Sequence, residues 1–109
     1  MGTVSLWAPT DTTDSATVGT GGTISGNNAN TVVAENSSRS SLTIAIKDAD
    51  VWIRLLPAST DPTVRKGIPV SAGQVWELPT SWWKKIYSGE VSIINAADGQ
   101  TPSYYVTEL

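Results

Sequence analysis

Ten carboxylates and no histidine or cysteine define the chemistry open to this 109-residue chain. Without cysteine there is no thiol nucleophile, disulfide, zinc ribbon or iron–sulfur site. Without histidine the commonest general base and transition-metal ligand is missing. Asp48 and Asp50 flank an expected hairpin turn, where acids ordinarily bond neighbouring backbone N–H groups. Two such side chains fall short of the roughly six to eight oxygens calcium requires. Asp11 and Asp14 lie in a polar, glycine-rich region. A glycosidase pair can be assembled from distant strands, so spacing alone does not dispose of it, but nothing favours it. The serines have no histidine partner, and no G-x-S-x-G element is present. The glycines between residues 19 and 26 are not followed by the Gly-Lys-Ser/Thr of a phosphate loop. The sequence therefore predicts no enzyme, no metal ligand and no cofactor.

Binding chemistry is better represented. Trp7, Trp52, Trp76, Trp82 and Trp83 are five tryptophans in a short chain. Strand alternation places Trp52 and Arg54 on the face opposite Val51, Ile53 and Leu55, and Trp76 on the face of Leu78, where it packs inside. Trp82-Trp83 follows Pro79 and precedes Lys84-Lys85, which puts at least one ring at the surface. An exposed tryptophan beside polar neighbours can cap the end of a sheet, anchor a protein interface or stack on a sugar. Tyr87, Tyr104 and Tyr105 share those alternatives. With the apolar tip of the N-terminus included, the candidate contact residues are Leu6, Trp7, Trp52, Arg54, Trp82 and Trp83.

Charge narrows the partners. The net charge is −3 and the isoelectric point is near 4.6. Arg39, Lys47, Arg54, Arg65-Lys66 and Lys84-Lys85 are scattered, whereas nucleic-acid binding calls for clustered cations that displace counterions. No run approaches the roughly 18 apolar residues of a membrane span. The first residues lack the basic and apolar regions of a signal peptide, and Leu6 stands where a myristoylation motif wants Ser or Thr. Asn36-Ser37-Ser38 is a glycosylation sequon that matters only on a secretory route. The expectation is a soluble protein made in a cytoplasm.

The elements that must position these residues fall into two regions. The chain carries 14 Thr and 13 Ser, and from Ala8 to Thr31, 18 of 24 residues are Thr, Ser, Gly, Asn or Asp. Such a stretch buries too little apolar surface to offset backbone ordering of about 1–2 kcal/mol per residue. Residues 1–30 are therefore expected to form an arm, flexible or ordered by a partner, with Val4-Ser5-Leu6-Trp7 as its strand-like tip. Residues 31–109 show about seven short strands separated by turns. Leu42, Ile44 and Ile46 share one face, Val51, Ile53 and Leu55 another, and the two runs are expected to form a hairpin across Lys47–Asp50. Further strands are expected at Ile68–Val70, Gln74–Leu78, Lys85–Ile94 with a bend at Ser88-Gly89, and Tyr104–Leu109. Pro69, Pro79 and Pro102 fall at strand ends, where a missing N–H does least harm. The pattern predicts an all-β antiparallel sandwich or a small jelly-roll-like barrel.

Arg39-Ser40-Ser41-Leu42-Thr43-Ile44, Val51-Trp52-Ile53, Gly67-Ile68-Pro69-Val70-Ser71-Ala72-Gly73-Gln74, Lys85-Ile86-Tyr87-Ser88 and the closing Tyr105-Val106-Thr107-Glu108 occur in a telling order. Over residues 36–109 this order resembles small β-sandwich structural proteins of tailed bacteriophages. The resemblance implies a non-enzymatic virion protein assembled in the host cytoplasm, chiefly a capsid decoration or cement protein. Its implied partner is the major capsid protein or another virion protein, and its implied state is a homo-oligomer, dimer or trimer. A tail or head-fibre domain that recognises a host saccharide is the alternative it implies. A free carbohydrate-binding module fits less well, since those usually accompany larger secreted enzymes.

Overall fold

The computed structural model describes residues 19–79 and 86–109. Eight strands follow one another: β1 (Thr20–Thr23), β2 (Asn30–Val33), β3 (Leu42–Lys47), β4 (Val51–Arg54), β5 (Ile68–Val70), β6 (Val75–Glu77), β7 (Val91–Asn95) and β8 (Ser103–Glu108). They form two four-stranded sheets, ordered β1-β8-β3-β6 and β2-β7-β4-β5, and every pairing is antiparallel. The pairs nest, β1 with β8, β2 with β7, β3 with β6 and β4 with β5, and consecutive strands alternate between sheets except at β4–β5. This is the jelly-roll order of an all-β sandwich.

The core follows from strand alternation. Leu42, Ile44 and Ile46 of β3 point inward and meet Val51, Ile53, Val91, Ile93 and Val106 in one cluster. Trp76 lies opposite Ile44 in the register and packs on the rim of that cluster, partly buried.

Two expectations change. Leu42–Lys47 and Val51–Arg54 do not pair as a hairpin, because β3 and β4 belong to opposite sheets. Each strand has one apolar face, and the two faces meet across the sandwich in a single core. Asp48, at φ 75°, takes the chain across, in a conformation that Asp tolerates better than most residues. The division of the chain at residue 31 also moves. β1 pairs with β8 from Thr20↔Val106 to Thr23↔Ser103, and Ile24 is 1% exposed in the core. Residues 20–30 are thus part of the sandwich. Their polar composition misleads because a strand edge needs backbone hydrogen bonds more than apolar side chains. The arm's tip lies outside the described residues.

β7 is buried along its whole length, Val91, Ser92, Ile93, Ile94 and Asn95 alike. Ile93 faces the core, so Ser92 and Ile94 face outward and something must cover them. The 55–67 connection is laid against that outer face as a strap. Ser92 Oγ donates to Leu56 O at 2.9 Å, Ala58 N–H donates to Thr31 Oγ1 at 3.3 Å, and Ala29 N–H donates to Pro62 O at 2.7 Å. Arg65 Nε donates to Asn95 O at 2.8 Å.

Candidate functional site

The sandwich has two unlike outer faces. On the β2-β7-β4-β5 sheet, Arg54 projects outward as alternation predicts, yet it is 2% exposed. Its guanidinium is enclosed by strap carbonyls, donating to Asp61 O at 2.8 Å, Val64 O at 3.3 Å and Pro57 O at 3.4 Å, and also to Thr60 O. Arg54 is therefore a positioning residue: it fixes the strap and has no exposed surface of its own to offer a partner. Ile53 is buried as alternation predicts, whereas Leu55, expected on the same face, lies beyond the end of β4 and is exposed. Trp52 lies on the same outer face, opposite Ile94 and the exposed Pro69 in the register, and is partly exposed. The strap and the partly exposed Trp52 lie on this one outer face.

The outer face of the β1-β8-β3-β6 sheet carries no such cover from any described loop. Thr43, Ala45 and Lys47 of β3 stand opposite Thr107, Tyr105 and Ser103 of β8. Val75 of β6 and Gly21 of β1 extend the middle row. Tyr105 is 37% exposed and its ring lies over Gly21, where an added Cβ would meet the ring at 3.2 Å. Beside it is an open cleft of about 360 Å³ lined by Gly22, Thr23, Ala45, Lys47, Ser103, Tyr104 and Tyr105.

At the opposite end from the β3–β4 turn, Arg39 is buried beneath the close of β8. Its Nε donates to Glu108 Oε2 at 2.7 Å, and its terminal nitrogens donate to Tyr87 O, Gly89 O and Ala34 O. Tyr87, whose hydroxyl donates to Glu90 O at 2.7 Å, has its pKa raised above 10.0, chiefly by burial, with Arg39 opposing the shift. Among the described residues no three acids cluster as a metal site would require.

The structure thus places Trp52 at a surface and Arg54 beneath one. Leu6, Trp7, Trp82 and Trp83 lie outside the described residues. The phase of β8 marks Tyr105 among the aromatics: with Val106 in the core, its neighbour must face out. Lys47 and Ser103 join it only through the β3–β8 register, which spacing does not disclose. No protein family, curated protein or solved structure matches the chain.

Proposed function

We propose that the chain is a non-enzymatic structural protein of a phage virion, a decoration protein that binds the major capsid protein and stabilises the head as a homo-oligomer. The observation that carries this reading is the strap. Its backbone is fixed by Arg54, Ser92, Thr31 and Arg65 before any partner arrives. A surface ordered in advance loses little conformational entropy on docking, and Trp52 supplies an aromatic anchor beside it, a residue type over-represented among binding hot spots. The nested strand order supports the reading only as architecture, since jelly rolls serve many functions. The N-terminal arm adds reach in this proposal, with Leu6 and Trp7 as its contacts.

The test is cosedimentation with heads assembled without this chain. The full chain should saturate the heads, and Trp52→Ala should weaken occupancy about tenfold or more, a loss of the 1.4 kcal/mol scale or larger. Removal of residues 1–18, which leaves β1 intact, should also lower occupancy while the body stays folded. A full chain that does not pellet with heads would overturn the proposal.

A further inference from the structure

We propose that the Asp61–Pro62 peptide bond is a self-processing site, cut once per chain in mild acid by the Asp61 carboxylate, an activity that goes beyond the decoration reading and does not rest on it. The sequence supplies the reactants. Proline makes the bond a tertiary amide, whose nitrogen takes a proton and leaves more readily than that of an ordinary peptide bond. Aspartate carries a carboxylate that closes a cyclic anhydride when it attacks its own carbonyl carbon. The fold supplies the rest. Asp61 and Pro62 are exposed on the strap, and the Asp61 carboxylate makes no hydrogen bond or ion pair among the described residues. The Asp61 carbonyl oxygen, by contrast, accepts twice, from Arg54 Nη1 at 2.8 Å and from Val64 N–H at 3.1 Å. Two donors at those distances, one of them cationic and buried, form an oxyanion hole at the oxygen where negative charge must collect.

The steps balance with water as the sole co-reactant. An Asp61 carboxylate oxygen attacks the Asp61 carbonyl carbon, and the carbonyl oxygen takes the negative charge between its two donors. The bond to Pro62 N then breaks, that nitrogen takes a proton from solvent, and a cyclic anhydride remains on Asp61. Water opens the anhydride. The products are residues 1–61, ending in Asp61 with a free carboxylate, and residues 62–109, beginning with a Pro62 amine that stays protonated in acid and does not attack back. A cavity of about 210 Å³ lined by Arg54, Leu56, Asp61, Val64 and Lys66 opens beside Asp61 and admits that water. Asp61 is held at φ 46°, a left-handed conformation uncommon for a residue other than glycine, and cutting the bond relieves it. Pro62 O accepts from Ala29 N–H at 2.7 Å, which keeps the new amino terminus in place. Every strand pair among the described residues joins a strand before the cut to one after it. The cut protein therefore stays assembled, and the break shows only on unfolding.

The experiment holds the full chain at the lowest pH, from about 4 upward, at which its tryptophan fluorescence matches that at neutral pH, because a carboxylate and a proton donor coexist best near the ordinary carboxylate range. A parallel sample at the same pH is unfolded in concentrated guanidinium chloride. Intact-mass spectrometry after denaturation follows the fragments 1–61 and 62–109, whose masses together exceed the parent by one water. The folded chain should cleave about tenfold faster than the unfolded one, less than the roughly hundredfold of an enzyme's oxyanion donor because this site is open to water. Arg54→Met should bring the folded rate down to that of the unfolded chain. Asp61→Asn, which keeps a residue tolerant of the left-handed backbone, should yield no fragments. The proposal is overturned if the folded parent cleaves no faster than the unfolded one, or if folded Asp61→Asn cleaves at the parental rate. It is equally overturned if folded Arg54→Met keeps the parental rate. If Arg54→Met does not fold, the comparison of folded with unfolded parent decides alone.

Discussion

Arg39 and Glu108, 69 residues apart in the chain, meet at 2.7 Å, with the arginine side chain fully buried and the glutamate 28% exposed. The same guanidinium also donates to the carbonyls of Tyr87, Gly89 and Ala34. One side chain thus joins the β2–β3 loop, the lead-in to β7 and the end of β8. Arg39→Ala should lower unfolding free energy by about 3 kcal/mol, at the low end for a broken buried pair because Glu108 still reaches water. Glu108→Gln should cost about 1 kcal/mol, since a neutral acceptor remains. Urea denaturation of both variants measures the difference.

Arg54 gives a second prediction. Arg54→Met keeps the aliphatic stem but removes every guanidinium bond to the strap. Unfolding free energy should fall by about 2–4 kcal/mol, within the range for losing a buried hydrogen-bond network. Amide exchange should accelerate most across residues 57–66 while the β3–β8 ladder stays protected. Uniform acceleration over both sheets would show that the strap is not a separable unit.

Gly67 and Gly73 separate two costs of adding a methyl group. Gly67 has φ 127°, and a Cβ there would run into the carbonyl oxygen of Ile53. Gly73 has φ 88° and open space around it. Gly73→Ala should cost about 1–2 kcal/mol for the left-handed backbone alone, whereas Gly67→Ala should cost about 3 kcal/mol or more because β5 must also move away from β4. Thermal denaturation of the pair gives the comparison, and equal shifts would contradict the steric account.

Tyr87 sets an alkaline limit. Burial raises its pKa in the folded protein above the ordinary 10.0, so the folded form holds this proton more tightly than the unfolded chain does. The associated stability is complete below about pH 10 and declines as pH rises from there through the folded value. Tyr87→Phe should flatten that alkaline decline and lower stability at neutral pH by about 1 kcal/mol, through loss of the bond to Glu90 O. Denaturation midpoints between pH 8 and 11 test both effects.

Alternation in Leu42–Ile46 and Val51–Ile53 locates β3, β4 and the core because period-two burial is a local property. Pairing is not local. The choice between a hairpin and a crossing after Lys47 depends on which core the apolar faces can share, and that involves strands far along the chain. Arg54 illustrates a different limit. Its outward phase is legible, but the cover over it comes from a polar segment whose role is to offer carbonyls, and carbonyls leave no trace in composition. β1 is hard to read from sequence for a related reason, since Thr-Gly-Gly-Thr joins the sheet through its backbone. Tyr105 is visible as an outward residue of β8, while Lys47, Asp48 and Ser103 become its neighbours only through register.

The nesting of the strand pairs has a kinetic consequence. β4 and β5 are joined by the strap alone, whereas Thr20 and Val106 close a loop spanning most of the chain. Closing that outer loop first would carry the greatest entropy cost, but each inner pair, once formed, shortens the remaining open length for the next. Assembly is therefore expected to run outward from the innermost pair, slowly, as suits a topology rich in distant contacts. β1, bonded among the described strands to β8 alone, is expected to close last and to open first.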